Sequence, residues 1–444
     1  MQASPICIPT DSMGDLRNLK LTQEAYTTLP DYLNNSMDGS TLEDSEKEPA
    51  KPRNKLQHRS VTSVPQEKLS QALTMAEKFI QEKELLKANK ELIRCVALTR
   101  IIHGDGHWKL AQSFANLAHG YLTLQGLPVQ AKAHAEAAKD ILLNTVQATK
   151  SEEEKKEILG TLVTIYYTIG MAHLMQGTGR ESYLNLQKVE QILREMQGLN
   201  RNEIPELKTS ENDITIALGR ACLLQNKLTL AVEYFENAIN YITSMEGDTV
   251  PELINLYQDI AKAEQLRKMP ERAIEHLLQA HSISVALYKK DSVEAARTGI
   301  LLARAHAASE ILQYIQAAEI YFVESLNAYR MTLGPDDIHT LSTVVEFSKW
   351  LIQVGNKQEA YDLLNDCFKC EEDTDLDLSE KMAEIQNLMG SICLAEGKLQ
   401  KACKLLKKCL EIQNVVYGSQ HKKTKETLEL LNMLQRSRGG GGES

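Results

Sequence analysis

The chain has 444 residues, of which 43% are hydrophobic, 25% charged and only 5% aromatic, and its formal net charge is −10. That balance suits a folded protein with a core of Leu, Ala and Ile, and the acidic excess argues against nucleic acid or an anionic membrane as partner. No apolar run approaches about 18 residues, so neither a transmembrane helix nor membrane insertion is expected. Met1 to Pro30 holds no basic start followed by an apolar stretch, so no secretory leader is expected and the location reads as intracellular.

Residues 1–65 carry six of the eleven prolines, interspersed with Ser, Thr, Asp and Asn. No helical period persists there, and the segment reads as a disordered tail. Ser60 follows Arg59 within it, where a kinase could reach it. Helical periodicity runs from Gln66 to Gln435, and residues 436–444, with Gly439 to Gly442, read as a flexible end. The other prolines (Pro128, Pro205, Pro251, Pro270 and Pro335) fall between expected helices, as they must, because an interior proline costs about 3 kcal/mol. No stretch alternates with period two, so no sheet is expected. Thr149 to Lys156 reads as the charged start of a long helix, and Asp373 to Glu380 as an acidic linker. Thr424 to Leu434 reads as a last single helix covering the apolar face before it.

Inside the periodic region one pattern recurs. Ile385 to Ile412 reads as a helix, a turn at Gly397 and a second helix, with small residues at Gly390, Ala402 and Cys409. Apolar residues at spacings of three and four give each helix one greasy face. Stepping back from Ala402, matching small residues occur at Ala360, Ala318, Ala273, Ala231, Ser182, Ala131 and Ala88, with steps of 42, 42, 45, 42, 49, 51 and 43. A second small residue precedes each anchor: Gly390, Ser348, Ala303, Ala261, Gly219, Gly170, Ala118 and Ala76. Small residues let two helix axes approach closely, and a hairpin of this kind buries its face only by stacking on copies of itself.

The pattern resembles the tetratricopeptide repeat, whose standard unit is about 34 residues. The longer step implies helices roughly a turn longer, similar to the kinesin light chain variant, whose Gly-x-x-His connector Gly104 to His107, Gly334 to Asp337 and Gly418 to His421 resemble. The expected fold is therefore all-α: a right-handed tetratricopeptide superhelix of about eight antiparallel helix pairs plus a capping helix over 66–435. Glu91 to Ala111, Gly390 to Leu410 and the opening Met1 to Ile6 are similar to the vertebrate tetratricopeptide repeat protein 23 family. That resemblance implies a non-enzymatic adaptor with centrosomal, spindle or ciliary protein partners, in the cytoplasm and cytoskeleton, at the centrosome, spindle and midbody. Its alternative is a ciliary adaptor in Hedgehog signalling. A regulatory subunit of an enzyme complex remains the second class of function.

Candidate chemistry is sparse, and no cofactor is expected. His103, Asp105 and His107 could offer metal ligands, but two intervening glycines and the matching slot at Gly418 to His421 make a connector the simpler reading. Cys367 and Cys370 have zinc-like spacing without a second pair. Cys95, Cys367 and Cys409 share one small repeat position and Cys222 and Cys393 another, so they read as compact core residues; Cys7, Cys370 and Cys403 fall outside that account. Glu152 and Glu153 lie in a charge run of the solvated kind. No dinucleotide fingerprint, P-loop or nucleophile elbow is present. The positive candidate is a groove on the first helices. The residue after the first small position is Arg220, Lys262, Arg304 and Lys349 in four consecutive units. Such a ladder of cations suits an acidic extended peptide, or a helix with one acidic face, as partner.

Overall fold

The structure, a computed structural model, describes residues 63–145, 151–198, 209–309, 312–367 and 380–439. Among these are seventeen helices and no strand. The fold is the all-α array of helix pairs that the repeat spacing predicts. In chain order the first-and-second pairs are α1 (Ser63–Gln81) with α2 (Leu85–His103), α3 (Trp108–Gln125) with α4 (Pro128–Thr145), and α5 (Glu152–Met175) with α6 (Gly179–Gln197). They continue as α7 (Glu211–Leu224) with α8 (Leu228–Glu246), α9 (Pro251–Leu266) with α10 (Pro270–Tyr288), and α11 (Val293–Ala307) with α12 (Leu312–Thr332). Last come α13 (Ile338–Gln353) with α14 (Lys357–Asp366), α15 (Glu380–Ala395) with α16 (Leu399–Val416), and the single helix α17 (Lys422–Gly439). The chain divides into two units. One holds α1–α5 and α6 from Leu184 onward; the other holds the start of α6 and α7–α17. The tail as far as residue 62, with Ser60 and Cys7, lies outside the described residues, as do Pro205, Cys370, most of the Asp373 to Glu380 linker and residues 440–444.

The small residues of the repeat are its contact points. All eight anchors, Ala88, Ala131, Ser182, Ala231, Ala273, Ala318, Ala360 and Ala402, are 0% exposed. The first small residues are buried too, including Ala303 and Gly170 in the two repeats whose sequences diverge most. Gly219 shows why size matters: a Cβ there would lie 2.7 Å from Cε1 of the fully buried Phe235 on α8. At Gly390 it would lie 2.9 Å from Leu406 Cγ on α16. Core clusters bridge successive pairs within each unit. In the second unit one cluster runs through Phe322, Phe347 and Trp350 to Met389 and Ile412, joining α11 to α16. In the first, Leu92, Val96, Leu110 and Leu117 join α2 to α3.

Two kinds of turn alternate. Within pairs, one residue adopts the left-handed conformation: Lys83, Gly126, Gly177, Asn226, Lys268, Gly355 or Gly397. Between pairs, a residue with positive φ is followed three positions later by the N-cap of the next helix. Gly104 precedes His107, Gly247 precedes Val250, Gly334 precedes Asp337 and Gly418 precedes His421. His107 and His421 accept a backbone N–H from Lys109 (3.1 Å) and Lys423 (3.3 Å) through Nδ1, and Asp337 accepts from His339 (2.8 Å). The histidine of the connector is thus a helix cap, one of the oxygen-like acceptors that satisfy an otherwise orphan donor. Lys289 fills the glycine's place before Ser292, at φ 75 and ψ 161.

Proline placement follows the same logic, with Pro128, Pro251 and Pro270 each the first residue of a helix. Ser151 caps α5 by accepting from Glu154 N–H at 3.2 Å, and Glu152 and Glu153 sit in its first turn, where negative charge favours the helix dipole. The membrane expectation needs one correction. By length and composition α5 is apolar enough to cross a membrane, because Gly, Thr, Tyr and His interrupt its apolar run without adding charge. Most of that window is buried inside the protein, and Lys155 beneath it pairs with Glu195 at 3.5 Å, so α5 has the character of a core helix.

Candidate functional site

On α7 and α15 the small residue, Gly219 or Gly390, faces the second helix of its own pair, against Phe235 or Leu406. The next residue lies about 100° further round, on the open side. Arg220, Lys262, Arg304 and Lys349 occupy that position on α7, α9, α11 and α13, all within the second unit. Arg220 is partly exposed and the other three are exposed.

The geometry adds what the sequence pattern did not contain, namely carboxylates. Arg220 Nε donates to Asp259 Oδ2 of α9 at 2.7 Å. Arg304 Nε donates to Glu346 Oε2 of α13 at 2.6 Å, and its second nitrogen reaches the other carboxylate oxygen, making a two-pronged pair. Lys349 Nζ donates to Glu384 of α15 at 2.5 Å, and Lys381 joins the same carboxylate at 3.2 Å. Three cations of the ladder are therefore rungs between successive first helices. Lys262 has no ion partner among the described residues. Asp259 and Glu346 each stand two residues before a first small residue, Ala261 and Ser348, so a search for acids at that position one unit on would have found both.

At the C-terminal end, the same face closes into a pocket of about 390 Å³ lined by Glu380, Glu384, Asn387, Gln413, Tyr417, Lys423 and their neighbours. Lys423 Nζ donates to Glu380 at 3.0 Å and to Tyr417 Oη at 3.3 Å, and the Tyr417 ring stacks on His421 with centroids 4.6 Å apart. The hydrogen bonds from Tyr417 and Lys423 hold the Glu380 carboxyl below its usual range, and Glu380 in turn raises the Lys423 ammonium. At Glu384 burial pushes the carboxyl up, but Lys349 and Lys381 outweigh it and leave the group below its ordinary value.

The metal candidates are otherwise engaged. Asp105 pairs with Arg100 at 2.9 Å, His107 caps α3, and the His103 and His107 rings stack with centroids 4.7 Å apart. Burial, then the neighbouring His107 and Lys109, lowers the His103 pKa. Cys370 is outside the described residues, so the Cys367 pair has no geometry to report. All six described cysteines are buried, Cys403 included, and burial pushes the Cys409 thiol up to about 11.

Comparison with known proteins follows the same lines. The tetratricopeptide repeat family model matches residues 381–440, which span α15 to α17. A mouse protein, tetratricopeptide repeat protein 23-like, is 48% identical over 376 residues, covering 85% of this chain and 81% of its own. Human tetratricopeptide repeat protein 23 is 34% identical over 382 residues, covering 86% and 85%. Among solved structures, the apo form of RapI superimposes with a TM-score of 0.51 at 10% identity, over 85% of this chain and 99% of that one, a likeness of fold alone.

Proposed function

Because the chain belongs to the tetratricopeptide repeat protein 23 family, we propose that it is a non-enzymatic scaffold that holds partner proteins on the exposed faces of its first helices. The observation that carries this reading is the division of labour along each first helix. One side is spent on small, fully buried contact residues, while Arg220, Lys262, Arg304 and Lys349 stand on the open side at repeat spacing. A surface of this kind recognises an extended or helical segment through many modest contacts and needs no fixed reacting group.

The resemblance extends the proposal to partners at microtubule-organising structures: the centrosome, the spindle and the midbody, reached from the cytoplasm. An acidic chain is poorly matched to the acidic tubulin surface, so the association runs through proteins that themselves sit on microtubules. Proximity labelling with the full chain, in dividing and in ciliated cells, tests this. Centrosomal, spindle and midbody proteins should dominate the labelled set in dividing cells. A set confined to cilia would replace the location with the ciliary alternative. Uniform cytosolic labelling would remove the scaffold's proposed address.

A further inference from the structure

The rungs between first helices follow a rule, and one junction breaks it. An outgoing cation stands one residue after the small position. Its acid stands on the next first helix, either two residues before the small position, as Asp259 and Glu346 do, or six before it, as Glu384 does. Between α9 and α11 the outgoing cation is Lys262. The two acid slots on α11 are counted back from Ala303, and they hold Leu301 and Arg297. One is apolar and partly buried; the other is a second cation, exposed and without an ion partner among the described residues. At the α7–α9, α11–α13 and α13–α15 junctions the outgoing cation meets an acid, whereas this one has a second cation where an acid is required. One turn beyond Lys262 on the same face, Leu266 is 52% exposed.

We propose that Lys262 and Arg297 form a cationic notch at the α9–α11 junction that reads an acidic side chain of a partner segment, with an apolar neighbour of that side chain resting on Leu266. The proposal rests on the scaffold reading and narrows it from a ladder of four cations to one junction. A carboxylate docking at Arg220, Arg304 or Lys349 has to displace one the protein already supplies, and the exchange returns little net attraction. At the notch neither cation is in an ion pair with a described acid, so an incoming carboxylate has no paired acid to displace. Glu294, exposed and one turn before Arg297 on α11, makes no ion pair with it and is the nearest acid in sequence.

The test is selection of a random-peptide display library on the full chain, followed by fluorescence polarisation with a labelled synthetic copy of an enriched peptide. The acid of that peptide replaced by its amide is the second probe. The notch predicts enrichment of Asp or Glu beside Leu, Ile or Met, and about tenfold weaker binding when the acid becomes an amide. Lys262→Glu and Arg297→Glu should each weaken binding at least as much, and Arg220→Gln should weaken it less than either. Leu301→Glu removes no cation but fills the missing acid slot, so its loss of binding marks the notch itself. Lys262 and Arg297 are exposed, and their variants stay informative if Leu301→Glu fails to retain helical circular dichroism. Indifference to the amide replacement, or an Arg220→Gln loss equal to that of Lys262→Glu, overturns the notch and leaves the scaffold standing. A library from which nothing enriches overturns both.

Discussion

Lys289 occupies a backbone conformation that the other connectors give to glycine, and relieving it should stabilise the protein. At φ 75 and ψ 161 the lysine lies in a region essentially restricted to glycine, where a Cβ costs about 1–3 kcal/mol. Gly104, Gly247, Gly334 and Gly418 hold the same place at φ 82, 96, 98 and 83. Lys289→Gly recovers that strain and returns about 0.5–1 kcal/mol through the greater freedom of glycine in the unfolded chain. The lysine side chain is exposed and makes no ion pair, so nothing is lost with it. The backbone carbonyl that accepts from Ser292 Oγ at 2.8 Å is kept. The net expectation is a gain of about 1 kcal/mol, a rise of about 2–4 °C for a unit of this size, read by thermal unfolding of the full chain at fixed concentration. Lys289→Ala supplies the control, since alanine keeps the Cβ and should give no comparable gain. A destabilised Lys289→Gly, or equal gains from Gly and Ala, would refute the strain.

Phe235 is 0% exposed and fills the space that Gly219 leaves open, so Phe235→Ala should cost about 3–5 kcal/mol in urea unfolding. A double-mutant cycle on Arg304 and Glu346 should return a coupling of about 0.5–1 kcal/mol that shrinks in high salt, because both side chains are substantially solvated. Burial lowers the pKa of His276, His281 and His306 in the second unit. The unfolded chain then binds more protons near pH 6 than the folded one does. Stability should therefore be intact above the unfolded histidine pKa of about 6.5 and fall as pH drops through the folded values. His306→Gln should flatten that fall in a pH series of melting temperatures, and a slope unchanged by it would exclude His306 as a contributor.

Much of the fold is visible in the spacing of small residues, because close helix crossings tolerate nothing larger and so leave a mark at every repeat. Ala231, Ala273 and Ala402 stand at regular repeat positions, and even Ser182 and Ala318, in the least regular units, are fully buried. The candidate site was only half visible. The cations could be aligned by repeat position, but a rung such as Arg304 to Glu346 joins residues 42 apart on different helices. Alignment by position shows which residues share a face, and not which of them meet across a junction. Lys289 was hidden for a different reason: its neighbours satisfy the connector pattern, and strain resides in torsions that residue identity does not specify. Membrane-length apolarity in α5 is invisible to a count of strictly apolar residues, which passes over Thr, Tyr and Gly, although these carry no charge either.

The rungs have an evolutionary consequence. Each one ties a first helix only to its immediate successor, so a substitution at one junction alters the local surface and leaves the remaining junctions as they were. Gene duplicates could then diverge in what they hold by editing single junctions, with the shared framework inherited intact.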